Sequence, residues 1–79
     1  MERTNITDDD KGKKVVNAHG DEVGMVNRVE GDTAYVKPDA GLTDSIRTKL
    51  GWEDRDEDEY RLNADHIGTV TDNEIRLQD

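Results

Sequence analysis

Val15–Pro38, VVNAHGDEVGMVNRVEGDTAYVKP, is the stretch that decides the fold. Apolar and polar residues trade places along it with the period of a half-buried strand. Val23, Met25 and Val29 fall to one side, with Val26 breaking strict alternation. Ala34 and Val36 share a face and Tyr35 takes the other. The chain reverses twice, at His19-Gly20-Asp21-Glu22 and at Glu30-Gly31-Asp32. Gly20 supplies a positive φ there without a Cβ clash. Strands are therefore predicted at Lys14–Ala18, Val23–Val29 and Thr33–Lys37, joined as a meander. Gly24 inside the second strand predicts a bulge or bend. Pro38 has no N–H for a ladder bond and ends the run. The stretch reads as the wall of a small barrel, with contacting residues placed after it.

Downstream the period changes. In AGLTDSIRTKLGW, Leu42, Ile46 and Leu50 recur every fourth residue. Thr43 fits an N-cap, Asp44 the first turn, Lys49 the last turn, and Gly51 the C′ stop. One short helix is predicted, about Asp44 to Leu50. EDRDEDE, residues 53–59, reads as an exposed acidic loop. Short strands follow at Tyr60–Leu62, His66–Val70 and Glu74–Leu77, with turns at Asn63-Ala64-Asp65 and Thr71-Asp72-Asn73. Upstream, Thr7 fits the cap of a single helical turn through Asp8, Asp9 and Asp10. Residues 1–5 are expected to be mobile. Closely spaced short strands with turn signals between them indicate a small β-barrel or half-barrel.

Composition sets further bounds. The 79 residues are expected to form a single domain. Only 30% are hydrophobic and none is Phe, so the core is thin and a partner subunit would supply missing burial. Cysteine is absent, which excludes disulfides and thiolate metal sites. Asp plus Glu number 20 against 11 Lys plus Arg, a net charge of −9. That balance lacks the basic footprint of nucleic-acid binding and would be repelled by an acidic membrane surface. It suits a halophilic cytoplasm, because at about 1 M salt the Debye length shrinks to about 3 Å and self-repulsion is screened. No run approaches the ~18 apolar residues of a membrane span. The start, MERTNITDDD, has no apolar signal core, so the expected location is cytoplasmic.

Little in the sequence supports chemistry. Ser45 is the sole serine, at a helix start, and His19 and His66 lie at a turn and a strand opening. No catalytic role is assigned to them, because a triad needs all its members brought together. Asp54, Asp56 and Asp58 alternate as in a calcium loop, but Glu59 stands where that loop needs Gly and Asp65 where it needs Glu. No metal site and no cofactor are predicted, and no phosphate-binding glycine motif is present. The apolar set Leu42, Ile46, Leu50 and Trp52 has two uses. It can plug one barrel end, or it can face another subunit. Trp52, just past the helix stop and beside the acidic loop, is expected to be partly exposed. Arg47 and Tyr60 would flank it, giving the contact set Leu42, Ile46, Arg47, Leu50, Trp52 and Tyr60. The strands Tyr60–Leu62 and Glu74–Leu77 are candidate sheet edges for pairing with another chain.

GKKVVNAHGDEVGMVNRVEGDTAYV resembles the opening of PRC-barrel domains, with Gly12, Val15, Val16, Gly20, Val23, Gly24 and Val26 at matching positions. LNADHIGTVTDNEIRL resembles the closing segment, with Ile67, Val70, Ile75 and Leu77 as its inward residues. GLTDSIRTKLGWEDRDEDEY lies outside the general pattern and looks like the small stand-alone PRC-barrel proteins of haloarchaea. The resemblance implies an all-β fold: a small PRC-type barrel of five to six short antiparallel strands with one short helix. It implies a non-catalytic adapter or scaffold in archaeal cell division, linked to the FtsZ-based machinery through protein partners, and the thin core adds the expectation of a homodimer. The family's ribosome-maturation member implies an alternative, an RNA- or ribosome-associated factor. A small-ligand or cation sensor is a third possibility.

Overall fold

The computed structural model describes residues 6–52, 58–62 and 64–78. Six strands form one curled sheet: β1 (Lys14–Val16), β2 (Glu22–Glu30), β3 (Thr33–Pro38), β4 (Tyr60–Leu62), β5 (Ile67–Val70) and β6 (Glu74–Leu77). Their order is β4-β3-β2-β1-β6-β5, so the sheet is a half-barrel with β4 and β5 at its ends. One helix, α1, spans Asp44–Leu50. The expected all-β barrel-like fold with one short helix is what the chain adopts. Two details differ. Every neighbouring pair is antiparallel except β1 and β6, which run parallel. Ala64–His66, expected to be turn and strand opening, forms a short 3-10 helix. Residues 1–5, the 53–57 part of the acidic loop with Asp54 and Asp56, and Asn63 of the predicted turn lie outside the described residues.

The local signals explain the elements. Gly24 takes part in the β1–β2 pairing just where the register slips between Val15 and Val16. A Cβ at Gly24 would press on the Lys37 carbonyl oxygen and lie 2.9 Å from Val36 Cγ1, so β2 and β3 approach closely only because this residue has no side chain. Pro38 is the last residue of β3, where no ladder donor is needed.

The concave side holds the core. Val15, Val23, Val26, Ala34, Val36 and Leu62 come from the first four strands, and Ile67, Val70, Ile75 and Leu77 from the last two. Ile6 joins them from the chain start. The Thr7 turn is present as a 3-10 helix at Asp8–Asp10, where the Asp10 carboxylate accepts the Thr7 N–H at 2.9 Å. Asp10 is fully buried and pairs with Lys13 Nζ at 2.6 Å. The same ammonium donates to the Thr71 carbonyl at 2.7 Å, tying the first turn to the β5–β6 turn. A buried carboxylate needs such partners, since an unpaired one would cost several kcal/mol.

Candidate functional site

The predicted contact set gathers at one end of the half-barrel. Helix α1 begins at Thr43, whose hydroxyl accepts the Ile46 N–H. It stops at Gly51, in the left-handed region at φ 77°. There the Gly51 N–H reaches the Thr48 carbonyl and the Trp52 N–H reaches the Arg47 carbonyl. These are the two bonds of a Schellman motif, which reverses the chain and sends the next apolar residue back onto the helix's own packing side. Trp52 is that residue.

The result corrects the expectation for Trp52. It is 2% exposed, not partly exposed. Its indole stacks on Tyr60 with ring centroids 5.3 Å apart. The indole N–H donates to the Arg61 carbonyl at 3.2 Å. Leu50 and Tyr60 are buried with it, and Leu42 and Ile46 are half-buried against the same cluster. The Arg47 guanidinium lies 5.8 Å from the centre of the Tyr60 ring and donates to its hydroxyl at 3.4 Å. All six residues are brought together, five of them in or against the core cluster and Arg47 against the Tyr60 ring, which is the packing expected of a plug.

The sheet edges also differ from expectation in one case. Tyr60–Leu62 is an edge, as expected. Glu74–Leu77 is not, because it lies between β1 and β5. The parallel pairing with β1 covers it and leaves β5 as the second edge. The β4 edge is partly closed, since the Trp52 indole already occupies the Arg61 carbonyl. The β5 edge carries a register shift between Ile67 and Thr69.

A third surface was not in the predicted set. Arg28, Tyr35 and Arg61 stand in one cross-strand row over β2, β3 and β4. The Arg28 guanidinium lies 4.0 Å above the Tyr35 ring centre. Its Nε donates to Glu59 at 2.7 Å, and it also pairs with Glu30. Asn27 donates to the other Glu59 oxygen at 2.6 Å. The Glu59 bond raises the Arg28 pKa above its ordinary value. The hydrogen bonds from Asn27 and then Arg28 hold the Glu59 carboxyl below the usual glutamate range. The signal for this row was present in part: Tyr35 has opposite strand parity to Ala34 and Val36. Its alignment with Arg61 needed the β3–β4 pairing.

Ser45 and His19 are exposed, on α1 and in the β1–β2 turn, and His66 is half-buried. Among the described residues no three His, Asp or Glu side chains converge as a metal site. No helix among them is long and apolar enough to cross a membrane. No curated protein and no solved structure matches the chain. One family model does, over residues 6–77, and its description is a family of unknown function, DUF8593.

Proposed function

This chain belongs to the DUF8593 family, and from that premise we propose that it is a non-catalytic protein–protein interaction module. The observation that carries the reading is the open sheet. Six strands curl around one apolar core, yet the order β4-β3-β2-β1-β6-β5 leaves two ends unjoined and a broad outer face exposed. Such surfaces pair or pack with other chains. We read the module as cytoplasmic and halophilic, on the strength of the net charge of −9. We read it as homodimeric, because 30% hydrophobic content makes a thin core. Its resemblance to stand-alone haloarchaeal PRC-barrels supports an adapter role in archaeal cell division, at the FtsZ-based machinery.

Two measurements test this. Sedimentation equilibrium in about 2 M KCl, where charge repulsion is screened, should return a dimer. Pull-down with the tagged chain from a haloarchaeal extract should recover FtsZ or a protein bound to it. A monomer removes the dimer. Recovery of ribosomal proteins in place of division proteins would transfer the role to the ribosome-associated alternative.

A further inference from the structure

The outer face of the sheet is set apart by its charge. Register puts Lys14, Met25 and Lys37 in one row across β1, β2 and β3, beside the row of Arg28, Tyr35 and Arg61. Over β1 to β4 and the residues beside them, four cations on this face, Lys14, Arg28, Lys37 and Arg61, meet four acids, Glu22, Glu30, Asp39 and Glu59, so this set is neutral and all nine surplus negative charges of the chain lie elsewhere.

The acids on this face are already engaged. Glu22 pairs with Lys14 at 3.4 Å. Glu59 and Glu30 both pair with Arg28. Asp39 accepts the Gly41 N–H at 2.9 Å. Lys37 and Arg61 are left with no carboxylate partner among the described residues. Between these charges sits Met25, 53% exposed and the one large apolar side chain exposed among the described residues. An open groove of about 370 Å³ runs beside it, lined by Gly24, Lys37, Pro38 and Ala40 and by Glu22 and Asp39, the two acids engaged by Lys14 and by the Gly41 N–H.

We propose that this face docks an extended acidic segment of a partner protein. An apolar side chain of that segment enters the groove against Met25 and Pro38. Carboxylates at the next two alternate positions, on the same side of the extended chain, pair with Lys37 and Arg61. Lys37 lies two residues beyond Tyr35, the cross-strand neighbour of Arg61. The two cations are thus offset by about 7 Å along the strands and about 5 Å across them. Carboxylates two residues apart on an extended chain match that spacing. A nucleic-acid strand fits worse, since four carboxylates share the face and Tyr35 is its one ring. The proposal rests on the interaction-module reading and adds the partner's chemistry.

The test is fluorescence anisotropy in about 0.5 M KCl, where contact ion pairs still count, with a labelled octapeptide carrying Leu, Asp and Asp at successive alternate positions and Ser between them, so that all three face one side of the extended chain. The chains are wild type, Lys37→Glu/Arg61→Glu, the milder Lys37→Gln/Arg61→Gln, and Met25→Gln. Each is first checked for a native far-UV spectrum. Saturable binding to wild type is expected, weakened about tenfold or more by the charge reversal and about threefold by Met25→Gln. Absence of binding to wild type, or equal affinity across the variants, overturns the proposal. Tighter binding of a uridine decamer reassigns the face to RNA and overturns it too. So does self-association that the charge reversal abolishes, because the occupant is then a second copy. If the peptide fails while FtsZ-linked capture persists, this face is wrong and the module reading stands.

Discussion

Two Arg–Tyr pairs on opposite sides of one sheet do different work. At the plugged end, Arg47 lies 5.8 Å from the Tyr60 ring, and Tyr60 is buried beneath stacked Trp52. On the outer face, Arg28 lies 4.0 Å over a half-buried Tyr35 whose row is flanked by exposed side chains. Residue type does not separate the two. Strand parity and chain reversal do. Tyr60 alternates with exposed Arg61 and shares the inner side with Leu62, whereas Tyr35 is bracketed by inward Ala34 and Val36. Aromatic and arginine content marks interfaces only after the fold decides which members are free to meet a partner.

The largest expected effect breaks the inner pair. Trp52→Ala removes a stacked, buried indole and the donor to the Arg61 carbonyl. Truncations of this kind cost about 3–5 kcal/mol, a large part of a small domain's stability. Chemical denaturation in about 2 M KCl should show the chain largely unfolded. A folded, cooperative variant with near-wild-type midpoint would mean the indole is peripheral.

Next in size is the wall shared by both sides. Gly24→Ala forces a methyl group against the Lys37 carbonyl oxygen and within 2.9 Å of Val36 Cγ1. Overpacking of this sort costs about 1–3 kcal/mol. The same denaturation curve reads it, and an unchanged midpoint would show that β2 and β3 stand further apart.

The outer pair should matter far less. Tyr35→Ala loses an exposed cation–π contact worth about 0.5–1 kcal/mol. A loss comparable to that of Trp52→Ala would erase the distinction between the two faces. The smallest effect is titration of Glu59. Its folded pKa lies below the ordinary value of 4.5. The stabilisation is therefore complete above that value and is lost as pH falls through the lower folded pKa. Glu59→Gln should lower stability slightly near pH 7 and leave it unchanged below the folded pKa, so that the acid limb becomes flatter. An unaltered acid limb would show that Asn27 and Arg28 do not hold the carboxylate.

Much of the fold was legible locally. Thr43 and Gly51 bracket the helix at Asp44–Leu50, because caps are read from single residues. Alternation and glycine turns placed β2 and β3 to within a residue. What depended on distant pairing was not legible. The parallel contact of β1 with β6 converts the expected edge Glu74–Leu77 into an interior strand, and nothing within that strand announces it. Trp52 is intermediate. The gathering of Leu42, Ile46, Arg47, Leu50, Trp52 and Tyr60 followed from helix period and neighbourhood. The inward direction of Trp52 lay in Gly51, whose Schellman reversal returns the following residue to the core. The Arg28–Tyr35–Arg61 row was hidden because Arg61 joins it only through the β3–β4 register.

The central claim is that Trp52 at the helix end is interior, which is why the proposed docking face lies on the outer side of the sheet. Trp52 is the chain's sole tryptophan, which makes its fluorescence a direct probe. Acrylamide quenching in about 2 M KCl is the measurement to make, the neutral quencher being chosen because a chain of charge −9 repels iodide. Blue-shifted emission with quenching several-fold weaker than that of free indole is the predicted result. Red-shifted emission quenched as readily as free indole would contradict it, and would return the helix end to the surface as the docking site.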